Sequence, residues 1–199
     1  MDWKKLTSDM EFLGTFPGRL PDALYPEVAF VGRSNVGKSS AINALLHRRK
    51  AARVSGTPGR TQAVNLFRIS DRLVFADLPG YGFAKAPESA RKAWGRLVRR
   101  YLFKREALAL VVQLVDARHT AQKVDIEMVD LLTESEVPFI VVATKIDRVK
   151  RAKQKAQLAA IARGLRMPAD QIIPFSSTEK VGLDLVWSVL LDVVDEFEI

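Results

Sequence analysis

The chain has 199 residues, 48% hydrophobic and 27% charged, a globular balance with enough apolar material for one domain and its core. It contains no cysteine, which excludes disulfide frameworks, thiolate zinc sites, iron–sulfur clusters and cysteine nucleophiles. The formal net charge of +8 and the pI near 9.9 favour a polyanionic partner, because each phosphate neutralised by Lys or Arg releases a condensed counterion.

The first 26 residues carry Pro17, Pro21 and Pro26 and show no clear periodicity, so they read as an N-terminal extended arm on a single domain spanning 27–199. Two lysines near the start are followed by no apolar run, which argues against a secretory signal. The longest apolar stretch, 108–115, is broken by Gln113 and falls far short of the roughly 20 residues that a membrane span needs. A cytoplasmic monomer with no membrane contact is the expectation.

From Glu27 onward the pattern becomes rhythmic. An apolar run at 28–31, a Gly-containing turn and a helical segment from Lys38 to about His47 give strand, loop and helix. The polar stretch 48–62, rich in Arg, Gly and Ser, predicts a loop. Val64 and Leu66, then the run 73–76, flank Ser70 and Asp71 as two strands joined by a tight turn. Apolar runs at 108–115 and 139–143, and a short strand at Ile172, Ile173 and Phe175, alternate with helical patterns at 88–105, 125–134, 150–162 and 183–197. The third of these is expected to stop at Gly164. Such near-continuous apolar strands separated by helices predict an α/β fold, a mostly parallel six-stranded sheet with helices on both faces.

Gly32, Arg33, Ser34, Asn35, Val36, Gly37, Lys38 and Ser39 spell GRSNVGKS, which matches the phosphate-loop pattern G-x-x-x-x-G-K-[ST] between an apolar strand and a helix. Gly32 and Gly37 let the backbone curl so that successive N–H groups face the phosphates at the positive end of the helix. Lys38 would reach the β- and γ-phosphates and Ser39 would ligate Mg²⁺. Asp77, Leu78, Pro79 and Gly80 follow at the end of the strand 73–76. Asp77 is placed to hold Mg²⁺ through a water, and the Gly80 N–H to sense the γ-phosphate. Thr61 is the favoured Mg²⁺ ligand closing over that phosphate, with Thr57 as the alternative in the same loop. Lys38, Thr61 and Gly80 are therefore the candidate catalytic groups, and no general base is assigned.

The strand 139–143 runs into Thr144, Lys145, Ile146 and Asp147. The Asp147 carboxylate can accept from both N1–H and the exocyclic amine of guanine, a pairing adenine does not offer, and so selects GTP. Lys145 would lay its stem along the purine and Thr144 would brace the phosphate loop. Backbone N–H groups of Ser176, Ser177 and Thr178 are candidates for guanine O6. An ATP-using P-loop kinase, the competing enzyme class, would need an adenine pocket and substrate machinery that the sequence does not display.

With GRSNVGKS, GRTQ at 59–62, DLPGYG at 77–82, TKID at 144–147 and SST before Lys180 and Gly182 in hand, the chain resembles the EngB family of bacterial GTPases over nearly its whole length. The resemblance implies a Ras-like P-loop G domain that binds GTP and GDP and hydrolyses GTP as a Mg²⁺-dependent switch. It also implies large ribosomal subunit precursor and ribosomal RNA as partners, and a role in normal cell division and septation. Direct action on a division protein is the alternative; a tRNA-modification enzyme would require further domains. Gly59, Arg60, Thr61, Gln62 and Ala63 join the nucleotide-binding set on the same ground. Thr144 replaces the asparagine of many GTPases, and threonine is usual in this family.

Ras-like enzymes place a glutamine directly after DxxG to orient the attacking water; here that residue is Tyr81. Slow intrinsic turnover is the expectation, on the order of 10⁻⁴ s⁻¹ as for unstimulated Ras. A partner's arginine would raise it, or K⁺ near Asn35, the position that helps coordinate K⁺ in relatives such as the TrmE G domain. On the helix 88–105, Trp94, Leu97, Val98, Tyr101 and Leu102 form an apolar stripe opposite Lys92, Arg96, Arg99 and Arg100, a candidate RNA-reading face. Arg148, Lys150, Arg151, Lys153 and Lys155 make a second basic patch that reads better as solvated surface.

Overall fold

The structure is a computed structural model that describes residues 3–52, 63–82 and 87–197. In chain order the elements are α1 (Trp3–Leu6), β1 (Met10–Phe16), β2 (Glu27–Gly32), α2 (Lys38–Leu45), β3 (Val64–Ile69), β4 (Leu73–Asp77), α3 (Glu88–Lys104), β5 (Leu108–Asp116), α4 (Lys123–Ser135), β6 (Phe139–Thr144), α5 (Arg151–Leu165), β7 (Ile172–Pro174) and α6 (Leu183–Glu196). The strands form one sheet in the order β1-β3-β4-β2-β5-β6-β7. β2 pairs in parallel with β4 and β5, β5 with β6, and β6 with β7; β1–β3 and β3–β4 are antiparallel.

Every residue of β2, β4 and β5 is buried, as expected of strands covered on both faces. On one face Phe30, Phe75 and Leu110 pack against Ile42 and Leu45 of α2 and Val186, Trp187 and Leu190 of α6. On the other, Ala29, Val31 and Ala76 meet Val98, Tyr101 and Leu102 of α3 and Met128 and Leu132 of α4, while Val141 and Ala143 meet Ile161 and Leu165 of α5. This is the Ras-like P-loop α/β fold. No helix among the described residues is long and apolar enough to cross a membrane.

The sheet has seven strands rather than the expected six, because Met10–Phe16 adds an antiparallel edge beside β3. Its register shifts between Phe12 and Gly14, which erases the period-two alternation by which a strand is read from sequence. The segment expected as an arm thus holds α1 and β1. Trp3 of α1 stacks on Trp187 with ring centroids 5.8 Å apart, and its indole N–H donates to Asp184 Oδ1 at 2.7 Å. On the opposite face of the sheet, buried Glu27 accepts from Arg105 Nε at 2.8 Å and from the Tyr101 hydroxyl, pinning the C-terminus of α3 to the start of β2. Burial and the Glu27 charge together push the Tyr101 phenol well above its ordinary value.

Candidate functional site

β2 delivers the chain to the carboxyl edge of the sheet at Gly32, and α2 leaves it at Lys38. The intervening turn is too tight for side chains at two points. A Cβ on Gly32 would lie 2.8 Å from Val36 Cγ1, and Gly37 has φ 102°, a left-handed value that an L side chain rarely adopts. Thr144, at the end of β6, braces this loop from below: its Oγ1 is 2.6 Å from the Val36 carbonyl and 3.0 Å from that of Val115. Lys145, itself at φ 59°, reaches over the loop to the Asn35 carbonyl at 2.6 Å and to Asp116 Oδ2 at 2.9 Å. Burial alone would raise the Asp116 carboxyl, but hydrogen bonds from Arg118 and Lys145 outweigh it and hold that carboxyl below the ordinary carboxylate range.

Beside the loop, β4 ends at Asp77, whose Oδ1 forms an ion pair with Lys38 Nζ and whose Oδ2 accepts from Asn65 Nδ2 at 3.3 Å. The next residues fold onto the phosphate loop. Tyr81 N–H donates to the Gly32 carbonyl at 3.2 Å, and Ser34 N–H donates to the Tyr81 carbonyl at 3.0 Å. Gly80 sits so close that an added Cβ would lie 3.3 Å from the Gly32 carbonyl oxygen. Trp94 of α3 ties this segment from outside, its indole N–H donating to the Pro79 carbonyl at 2.8 Å.

A cavity of about 200 Å³ adjoins the loop, lined by Gly37, Ser40, Thr144, Lys145, Asp147, Arg148, Phe175, Ser177 and Thr178. Its position beside Gly37 suits a base whose phosphates lie in the loop. Asp147 is nearly buried, and its Oδ2 lies 3.1 Å from Arg148 Nε. Ile146 points away into the core beneath. Ser176 is also buried, with its N–H spent on the Val181 carbonyl at 3.1 Å, so Ser177 and Thr178 are the members of that tripeptide facing the cavity. Ser39 opens α2 beside Lys38. Thr57, Gly59, Arg60, Thr61 and Gln62 lie outside the described residues, and Ala63 is buried at the entry to β3.

Asn65, Gln113, Asp116 and Asp125, which motif reading passed over, belong to this site, and Tyr81 joins it through one of them. Tyr81 is buried, and its hydroxyl donates to Asp125 Oδ1 at 3.2 Å. Asp125 Oδ2 caps α4 by accepting from Gln122 N–H at 3.1 Å and lies 3.3 Å from Arg33 Nε of the phosphate loop. Gln113 of β5 donates to the Asp125 carbonyl at 2.9 Å. Burial raises the Asp125 carboxyl despite these partners, and burial and the Asp125 charge raise the Tyr81 phenol well above its ordinary value. Asn65, which links Asp77 to Thr15 of β1, and Asp116, which anchors Lys145, complete the set. The sequence signal for them was faint, since each works through a partner more than ten residues away.

Fold and site together define a P-loop GTP-binding protein. The family model described as 50S ribosome-binding GTPase matches residues 27–145. A relative from Exiguobacterium sibiricum, carrying the name Probable GTP-binding protein EngB, is 47% identical over 178 residues, 89% of this chain and 92% of its own length. Among solved structures, a probable GTP-binding protein engB superposes with a TM-score of 0.71 at 23% identity, covering 86% of this chain and 100% of that one. Era in complex with MgGDPNP and a fragment of 16S ribosomal RNA gives 0.68 at 25% identity, over 89% of this chain and 59% of that one. The chain belongs to the EngB family of GTP-binding proteins, a GTPase family.

Proposed function

We propose that this protein binds GTP in the loop at 32–39, hydrolyses it to GDP, and uses the difference between the two states as a switch in assembling the large ribosomal subunit, with consequences for cell division and septation. The observation that carries this reading is the 2.8 Å bond from Trp94 to the Pro79 carbonyl, which joins the segment expected to sense the γ-phosphate to the helix that bears the basic face. The description of the matching family model and the RNA bound to the similar Era structure support ribosomal RNA as the partner.

In the bound state the backbone N–H groups of Asn35, Gly37 and Lys38 cradle the phosphates, those of Ser34 and Val36 being spent on the Tyr81 and Arg33 carbonyls, while Lys38 exchanges Asp77 for the β- and γ-phosphates and Gly80 N–H meets the γ-phosphate. Asp147 pairs with the guanine edge, Lys145 covers the ring, and Ser177 and Thr178 face O6. The donor set near Lys38, the Ser39 hydroxyl and the Asp77 carboxylate, is all hard oxygen and leaves positions for phosphate oxygens, which fits Mg²⁺; Thr61, the further ligand expected from the sequence, lies outside the described residues. When bound, Mg²⁺ supplies charge neutralisation at the β- and γ-oxygens. The phenol of Tyr81 points toward α4 and is occupied there, so it orients no water and intrinsic hydrolysis is slow. K⁺ beside Asn35, which is exposed with φ 64°, is the proposed source of the missing positive charge. Equal hydrolysis rates in K⁺ and Na⁺ buffers would remove it.

Sedimentation with large-subunit precursor particles tests the biological reading. Co-sedimentation is expected with a non-hydrolysable GTP analogue and loss of it with GDP; absence of both, together with binding to a division protein, would reverse the assignment.

A further inference from the structure

The C-terminal half of α3 presents a surface that nucleotide chemistry does not use. Arg96, Arg99, Arg100, Phe103 and Lys104 recur at intervals of three and four and share one side of the helix. Phe103 is 38% exposed, although the neighbouring Tyr101 and Leu102 are buried. The Arg99 guanidinium stands 5.2 Å over its ring and is itself held by Glu134 of α4 at 2.8 Å. Around Phe103 lies an open depression of about 440 Å³ bordered by Arg99, Arg100, Lys104 and Glu134.

Arg100 and Lys104 also line a second hollow, of about 150 Å³, together with Arg19, Leu20 and Leu97. Arg105, at the end of this hollow, is committed to Glu27. Arg19, Arg96, Arg100 and Lys104 make no ion pair with a carboxylate among the described residues. Two adjoining hollows therefore share a ridge of uncompensated cations, and one of them has an accessible aromatic ring under a guanidinium.

Uncompensated cations at this spacing suit phosphates, and an exposed ring beside a guanidinium suits the flat face of a base. A duplex keeps its base faces stacked inside and offers only its phosphates to such a surface. We propose that this side of α3, with Arg19, is a binding site for unpaired RNA, in which Arg19, Arg100 and Lys104 hold successive phosphates and a base stacks at Phe103 beside Arg99. The proposal rests on RNA being the partner and adds which form of RNA is read and by which residues.

Fluorescence anisotropy on the full chain loaded with a GTP analogue tests it, using a labelled oligouridine about 12 nucleotides long, an RNA duplex of equal length and a polyglutamate peptide. Oligouridine is expected to bind more tightly than duplex. Phe103→Ala should weaken oligouridine roughly tenfold and leave duplex unchanged, while Phe103→Trp keeps the preference. Replacing Arg19, Arg100 and Lys104 together by Ala should reduce the salt slope for oligouridine by about two. Guanine-nucleotide affinity and the thermal midpoint, measured on each variant, should stay at wild-type values. Equal binding of duplex and oligouridine, or an equal loss of both in Phe103→Ala, would overturn this site and leave the RNA partnership standing. Binding of neither RNA would remove the partnership itself, and polyglutamate competing as well as oligouridine would reassign the face to acidic protein.

Discussion

The Tyr81 hydroxyl donates to Asp125 Oδ1 at 3.2 Å, so the residue directly after the DxxG motif is turned away from the phosphates and fastened to the first turn of α4. Asp125 in turn holds Arg33 of the phosphate loop and caps α4. The tyrosine at this position is an anchor for the loop.

Tyr81→Phe separates these roles. It leaves a buried carboxylate oxygen without its donor, a loss of about 1–3 kcal/mol in stability by thermal or urea unfolding. Single-turnover GTP hydrolysis should change less than tenfold, under about 1.4 kcal/mol on the barrier. Loss of hydrolysis with unchanged stability would make the phenol a chemical participant.

Thr144→Val tests the brace beneath the phosphate loop. The Val36 and Val115 carbonyls, 2.6 and 3.0 Å from its hydroxyl, lose their shared donor. GTP and GDP affinities should fall together, by roughly five- to hundredfold, as expected for about 1–3 kcal/mol of unpaired buried polar groups. A fall confined to GTP would place the effect at the γ-phosphate instead.

The Asp116 carboxyl is held below its ordinary value of 3.8 in the folded chain, against the effect of its own burial, by Arg118 and Lys145. Its contribution to stability is therefore complete above the unfolded value and is lost as pH falls below about 4. Asp116→Asn should lower the thermal midpoint at neutral pH and weaken nucleotide binding by freeing Lys145, and the difference from wild type should shrink on acidification. A difference that persists unchanged at pH 3 would contradict this linkage.

Trp94→Phe removes the indole N–H from the Pro79 carbonyl while keeping an aromatic ring in the apolar stripe. GTP affinity should stay within a few-fold, since about 1 kcal/mol of hydrogen bond is at stake away from the phosphates. The contrast between GTP- and GDP-loaded protein in binding ribosomal particles should flatten. A contrast of wild-type size would show that α3 does not carry the signal.

Residues whose work is local were legible in the sequence. Gly32, Gly37 and Lys38 act within one turn, and the buried strands around them are continuous apolar runs, so the phosphate loop and the parallel sheet could be read directly. Gly164 marked the end of α5 to within one residue. The helix ends at Leu165, one residue past the glycine, with Arg166 at φ 58° as its left-handed cap, while the glycine itself is required by close packing, since a Cβ there would come within 2.8 Å of Ala121 Cβ. β1 was missed because its register shift removes alternation, and Asp125 because its value comes from Tyr81 and Arg33, joined to it only by the fold.

In the proposed function the cavity beside Gly37 selects guanine through Asp147. Competition against a fluorescent GDP by GTP, ATP and XTP, on wild type and on Asp147→Asn, tests it most directly. Xanthine carries a carbonyl where guanine has its amine, so an amide in place of the carboxylate reverses the pairing. Wild type should prefer GTP over ATP by about 10⁴-fold or more, and Asp147→Asn should prefer XTP over GTP. ATP displacing the probe as well as GTP does, or no gain of XTP binding in the variant, would contradict guanine selection by Asp147.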